Sequence, residues 1–227
     1  MSEKKKFWQT SQHLEGFGQA SVLNEDQNLD WADIYFMTTL PTHMRLPHLF
    51  PNLPLPFRET LELYTEELKN ISNVIIKKMG IDLNMDEKEM KELFEVDGLQ
   101  TMRINYYPPC PVPEKVIGVT PHSDGGGLTI LLQVSEVEGL QIKKDGIWVP
   151  VKPLPNAFII NIGDILEERL SIGTFRSPRL DSILGSASSL ITKETPPRFK
   201  TIKMKEYVER LFAGKLGVRA YIDVLRI

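Results

Sequence analysis

The sequence predicts a mainly β fold with flanking helices, built as an antiparallel sandwich or barrel. Three observations carry this. After Gly98 the apolar residues fall into short runs of period two, the pattern of half-buried strands. Asp145-Gly146 sits between two of those runs at the two-residue spacing of a tight hairpin. Helical periodicity is confined to stretches before Gly98 and after residue 202, whereas a parallel α/β sheet needs helices between its strands.

Taken in order, residues 1 to about 55 mix aromatics, prolines and charges without periodicity, and Pro41, Pro47, Pro51, Pro54 and Pro56 exclude a long helix there. This stretch reads as loop with short elements. Over 57–79 the apolar residues Leu61, Tyr64, Leu68, Ile71, Ile75 and Met79 recur every three or four positions, which predicts an amphipathic helix. Gly80 stands where a C-terminal cap belongs. A shorter helix is predicted over 87–94. Strands follow at 101–106, 128–134, 139–143, 147–151, 158–162 and 170–175. A last helix, 203–212, lines up Met204, Tyr207, Val208 and Leu211. The predicted organisation is a partial helical and irregular region over 1–97, a core over 98–200, and a terminal helix and tail over 201–227.

Charge and composition narrow the function. The 27 Lys and Arg against 30 Asp and Glu leave a net charge of −3 over 227 residues, which argues against a general nucleic-acid binder. One cysteine, Cys110, cannot form an internal disulfide, so a reducing compartment is expected. Lys4, Lys5 and Lys6 are not followed by an apolar run, and no segment reaches the length that spans a bilayer. The expectation is a cytoplasmic protein with no membrane partner. Only four histidines occur: His13, His43, His48 and His122.

His122-Ser123-Asp124 is the sharpest local feature. On a strand, residues i and i+2 share a face, so imidazole and carboxylate could reach one ion as two legs of a facial triad for non-haem Fe(II). The competing reading is a surface histidine beside an aspartate in a turn. Asn105-Tyr106-Tyr107-Pro108-Pro109-Cys110-Pro111 lies upstream, and Gly118-Val119-Thr120-Pro121 leads into the tripeptide. Gly125-Gly126-Gly127-Leu128-Thr129-Ile130-Leu131-Leu132-Gln133 follows it, then Glu138-Gly139-Leu140-Gln141-Ile142 and Gly146-Ile147-Trp148-Val149-Pro150-Val151. Asn161-Ile162-Gly163-Asp164 and Arg169-Leu170-Ser171 complete the set.

In this order the motifs closely resemble the plant iron(II)- and 2-oxoglutarate-dependent dioxygenases, from about Leu14 to Ile227. The resemblance is strongest to the subgroup of senescence-related proteins and poppy benzylisoquinoline alkaloid O-demethylases. Asp30-Trp31-Ala32-Asp33 and the ending Tyr221-Ile222-Asp223-Val224-Leu225-Arg226-Ile227 also look like that subgroup. The resemblance implies a double-stranded β-helix, or jelly roll. It implies Fe(II), 2-oxoglutarate and O₂, acting on a small plant metabolite such as an alkaloid or phenolic by hydroxylation or O-demethylation. It makes His122 and Asp124 iron ligands. Arg169 and Ser171 match the residues that hold the distal carboxylate of 2-oxoglutarate, a role suited to a guanidinium fork and a hydroxyl. Taken alone, Arg169 reads as easily as a surface partner of Glu167 or Glu168. Tyr107 and Asn105 match positions lining the co-substrate pocket.

The family's second iron-binding histidine lies between the Gly-Asp of one strand and the Arg-x-Ser of a later one. Here Gly163-Asp164-Ile165-Leu166-Glu167 runs directly into Glu168-Arg169-Leu170-Ser171, and no histidine follows His122. The expectation is therefore a jelly roll incomplete by at least one strand near 167–168, with a family amino-terminal section also lacking a counterpart. Glu167, Glu168 or water could fill the third position, but the loss of an imidazole weakens Fe(II) binding. Severely reduced turnover is expected. The alternative is a non-catalytic paralogue or a splice or gene-model product. A weaker third reading is a related condensing enzyme that does not consume 2-oxoglutarate.

Overall fold

The computed structural model describes residues 2–10, 13–19, 29–49, 54–90, 98–166, 176–186, 188–213 and 225–227. Its centre is a six-stranded sheet in the order β1-β2-β3-β8-β4-β7. The strands are β1 (Gly16–Phe17), β2 (Asp33–Leu40), β3 (Leu99–Tyr106), β4 (Leu128–Leu132), β7 (Phe158–Ile162) and β8 (Arg176–Ser177). All of its pairings are antiparallel, as expected. Two separate two-stranded sheets accompany it: the hairpin of β5 (Gln141–Lys144) with β6 (Ile147–Pro150), and β9 (Ile183–Leu184) with β10 (Ile202–Lys203). The helices are α1 (Ser2–Lys5), α2 (Leu55–Asp82), α3 (Glu87–Met90) and α4 (Met204–Ala213).

The amino-terminal third departs from its expected loop character. β2 runs for eight residues and pairs along β3 from Asp33↔Tyr106 to Leu40↔Gln100. Its residues are buried on both faces, so the alternation that reveals a half-buried strand is absent from Ile34-Tyr35-Phe36-Met37-Thr38-Thr39-Leu40.

α2 forms where expected but buries a face rotated by about one position. Leu61, Thr65, Leu68, Ser72, Ile76 and Gly80 are buried, while Tyr64, Ile71, Ile75 and Met79 lie at its margins. Small residues at 65, 72 and 80 let the helix axis approach the sheet, and Gln100 on β3 donates to the Thr65 carbonyl at 3.1 Å. Gly80 is thus not a cap. The helix continues to Asp82, and the chain turns at Leu83 and Asn84, the latter with φ of 53°.

Tyr35, Met37, Leu49 and Leu61 form one core cluster between β2 and α2, and Ile76 with Leu128 form another under β4. A third, around Ile202, Met204, Tyr207 and Leu225, seats α4. Met102 and Ile104 on β3 turn toward the α2 side, against Tyr35 and its neighbours. Alternation sends Arg103 and Asn105 to the opposite face. The β5–β6 turn is the expected two-residue hairpin, with Asp145 and Gly146 at φ of 50° and 83°. The predicted strand 170–175 lies outside the described residues.

Candidate metal and co-substrate site

His122 and Asp124 sit in an extended loop before β4, not on a strand. They are nonetheless brought together: His122 Nε2 lies 3.5 Å from Asp124 Oδ1, close enough for one ion to contact both. The loop achieves this because it is held at three points. His122 Nδ1 donates to the Thr120 carbonyl at 2.7 Å. A carbonyl can only accept, so Nδ1 carries a proton, and in the neutral ring the Nε2 lone pair faces Asp124 free, the tautomer that metal ligation needs.

Asp124 Oδ2 accepts the Asn161 amide at 3.1 Å, from β7, the last strand of the sheet among the described residues. Beyond β7, Gly163 and Asp164 fasten the loop from below. Asp164 N–H donates to the Asp124 carbonyl at 2.7 Å, Gly163 N–H to Gly127 at 3.0 Å, and Ile165 N–H to Gly126 at 3.3 Å. Ser123 donates its hydroxyl to the buried Asp164 carboxylate at 3.0 Å. A β-carbon at Gly163 would overlap the Gly126 carbonyl oxygen and stand 2.7 Å from that of Asp124, so this approach requires glycine.

The electrostatics follow the geometry. The hydrogen bond to Asp124 raises the His122 pKa above 6.5, burial opposes it, and the Thr120 carbonyl adds to the rise. For Asp124, burial pushes the pKa up, but the hydrogen bonds of His122 and Asn161 outweigh it and hold the carboxyl below 3.8.

Asn105 lies on β3 and Tyr107 just past its end. Asn105 Oδ1 accepts Arg103 Nε at 2.8 Å, and the half-exposed Tyr107 packs beside Gly118, its hydroxyl pKa raised by burial. Arg169 and Ser171, and the fallback ligands Glu167 and Glu168, lie outside the described residues. His13 stacks edge-on against His48 with ring centroids 5.6 Å apart, and His43 and His48 occupy 3-10 turns. Among the described residues no group of three or more His, Cys, Asp or Glu side chains could hold a metal ion.

The donor set therefore suits Fe(II) in part: an imidazole whose neutral form offers the Nε2 lone pair and an ionised carboxylate, with no third protein ligand among the described residues. Three supporting residues escaped sequence reasoning. Asn161, Gly163 and Asp164 belong to a motif visible at the end of β7, but its contacts to a loop some 40 residues earlier could not be read from it. An apolar cavity of about 270 Å³, lined by Phe7, Phe17, Tyr35, Met37, Phe57 and Ile104, lies on the α2 side of the sheet, away from the face of Arg103 and Asn105.

The sequence pattern of the 2OG-Fe(II) oxygenase superfamily matches residues 98–179, the stretch that contains this loop and both strands supporting it. Protein SRG1 of Arabidopsis thaliana is 53% identical, covering 100% of this chain and 69% of that protein. The chain belongs to the 2OG-Fe(II) oxygenase superfamily. Thebaine 6-O-demethylase of Papaver somniferum is 51% identical over 100% of this chain and 69% of its own length. The crystal structure of JOX2 in complex with 2OG, Fe, and JA superposes with a TM-score of 0.89 at 29% identity, covering 100% of this chain and 73% of that one. The oxygenase fold, mainly β with flanking helices in the jelly-roll class, and the family's use of Fe(II), 2-oxoglutarate and O₂ follow from this membership. The alignment with SRG1 spans 248 positions, while this chain has 227 residues. At least 21 positions of the alignment thus have no residue of this chain opposite them.

Proposed function

We propose that this oxygenase acts on a small plant metabolite, an alkaloid or a phenolic, by hydroxylation or O-demethylation, with turnover severely reduced because no second histidine follows His122 in the sequence. The substrate class is supported by the O-demethylases among its relatives, which include thebaine 6-O-demethylase. In this reading His122 Nε2 and the Asp124 carboxylate hold the iron. Arg169 and Ser171 grip the distal carboxylate of 2-oxoglutarate through a guanidinium fork and a hydroxyl, while Asn105 and Tyr107 line its pocket. Bound Fe(II), with 2-oxoglutarate and O₂, supplies the oxidising power that turns a substrate C–H into C–OH. On an O-methyl carbon the resulting hemiacetal loses formaldehyde.

The chain's own contribution is orientation. Thr120 fixes the tautomer of His122, Asn161 fixes the carboxylate plane of Asp124, and the Gly163-Asp164 backbone holds the loop between them. One observation carries the proposal: His122 Nε2 and Asp124 Oδ1 lie 3.5 Å apart, and no third donor joins them among the described residues. The 98–200 core would house this site, with an internal gap near 167–168.

A non-catalytic binder is the second reading, favoured by the 21 or more positions that lack a counterpart here. Succinate release from 2-oxoglutarate by the purified chain, measured beside a complete relative, separates the cases. A low, metal-dependent rate is expected. A rate equal to the relative's overturns impairment. No succinate from a chain that still binds 2-oxoglutarate supports the binder.

A further inference from the structure

We propose that Asp30 is a positioning residue for His122, coupling the metal half-site to strand β3; the inference rests on the reading of His122 as a ligand. Thr120 donates both its backbone N–H and its hydroxyl to Asp30 Oδ1, each at 2.8 Å and across 90 residues of sequence. The carbonyl of the same Thr120 accepts the Nδ1 proton of His122 at 2.7 Å. Asp30 thus holds the residue that holds the imidazole.

Asp30 is itself fixed. Its other oxygen faces Arg103 at 3.3 Å, and Arg103 Nε reaches Asn105 at 2.8 Å. The Gln19 amide spans the Asp30 backbone, donating to its carbonyl and accepting from its N–H, both at 2.9 Å. The next residue, Trp31, donates its N–H to the Ile117 carbonyl and its indole N–H to that of Pro108, both at 2.9 Å.

Asp30 is the better-covered partner of the contact. The Asp30 side chain is 14% exposed, whereas Thr120 and His122 are in an exposed loop outside any strand. A largely covered carboxylate oxygen that takes both hydrogen bonds of Thr120 holds this exposed loop residue at a fixed point. The same carboxylate is charge-paired with Arg103 on the co-substrate face. A shift of Asp30 therefore moves the acceptor of His122 and the environment of Asn105 together. Groups that orient a ligating imidazole typically alter metal affinity by about 10- to 100-fold when removed.

The test titrates Mn(II) alone into the full chain and follows the free-ion EPR signal, with circular dichroism confirming the fold of each variant. Asp30→Ala is expected to weaken binding about tenfold. Asp30→Asn should recover most of the loss, because its amide oxygen still accepts from Thr120 although the charge facing Arg103 is gone. Thr120→Val removes only the hydroxyl bond and should fall between wild type and Asp30→Ala; it carries the test if Asp30→Ala does not fold. Wild-type affinity in folded Asp30→Ala, or in Thr120→Val where that variant stands in, overturns the inference. So does an Asp30→Asn no better than Asp30→Ala. A wild-type chain that binds Mn(II) no better than His122→Ala overturns the ligand reading together with the inference.

Discussion

Ser123 donates its hydroxyl to the carboxylate of Asp164 at 3.0 Å, joining the middle of the H-x-D tripeptide to the residue that ends β7's motif. Ser123 is the residue between the two candidate ligands, and its partner is 9% exposed. The bond therefore ties the ligand loop to the folded core rather than to solvent. Gly163 makes it possible by letting the backbones of 124–126 and 163–165 touch.

Gly163→Ala tests that closeness. The added methyl has backbone on two sides and no flexible side chain to displace, so the loop must move. A loss of about 1–3 kcal/mol in unfolding free energy is expected from denaturant titration, together with weakened Mn(II) binding. An unchanged midpoint would show that the loop does not lie on β7's end.

Asn161→Ala isolates the orientation of Asp124. The amide donates to Oδ2 at 3.1 Å and leaves Oδ1 facing His122. Removing it frees the carboxylate to rotate and removes one of the bonds that keep it ionised. Mn(II) affinity should fall by about 10- to 100-fold, and the Asp124 pKa should rise in carbon-detected NMR. Retained affinity would assign Asn161 to sheet structure alone.

The His122–Asp124 pair makes stability and metal affinity respond oppositely to pH. His122 has a raised pKa, so its contribution is complete below the ordinary histidine value and is lost as pH rises through the raised one. Asp124 has a lowered pKa, so its contribution is complete above the ordinary carboxylate value and is lost as pH falls through the lowered one. The metal-free pair therefore stabilises most between about pH 4 and about pH 6.5. Arg103 acts against the protonated imidazole, and the His122 side chain is 42% exposed, so the effect is small. A metal ion needs the imidazole neutral. From pH 6 to 8 the metal-free Tm should decline slightly while the rise in Tm caused by Mn(II) grows. A metal-induced shift that is flat over this range, or one that survives in His122→Gln, would exclude His122 as a ligand.

Much of this was legible before the fold was known, and the exceptions have physical causes. Asp145-Gly146 announces its turn because only residues tolerant of positive φ fit both central positions. The bounds of β7 follow from its apolar run ending at Gly163. β2 was hidden because burial on both faces erases the period of two. Gly80 looked like a cap, since a helix glycine facing a sheet has the same local sequence as one ending a helix. Of the site, His122 and Asp124 were visible as a pair three positions long. Asp30, Asn161 and Asp164 stood in recognisable motifs, but their roles were hidden, because those lie in contacts 90, 37 and 41 residues away.

The β5–β6 hairpin carries the last prediction. All eight of its residues are exposed, and cross-strand register places Ile142 opposite Val149 and Lys144 opposite Ile147 on one face. The other face holds Lys143 over the Trp148 ring at 5.7 Å. Ile142 and Ile147 are 50% and 68% exposed, an apolar strip that a folded protein normally covers. If the strip faces water in the free chain, Ile142→Thr with Val149→Thr removes apolar surface without removing packing. Unfolding free energy should then change by no more than about 0.5 kcal/mol, while binding of the dye ANS and self-association at high concentration both fall. A loss of several kcal/mol would mean that the strip is packed in solution and that the hairpin is a covered layer of the jelly roll.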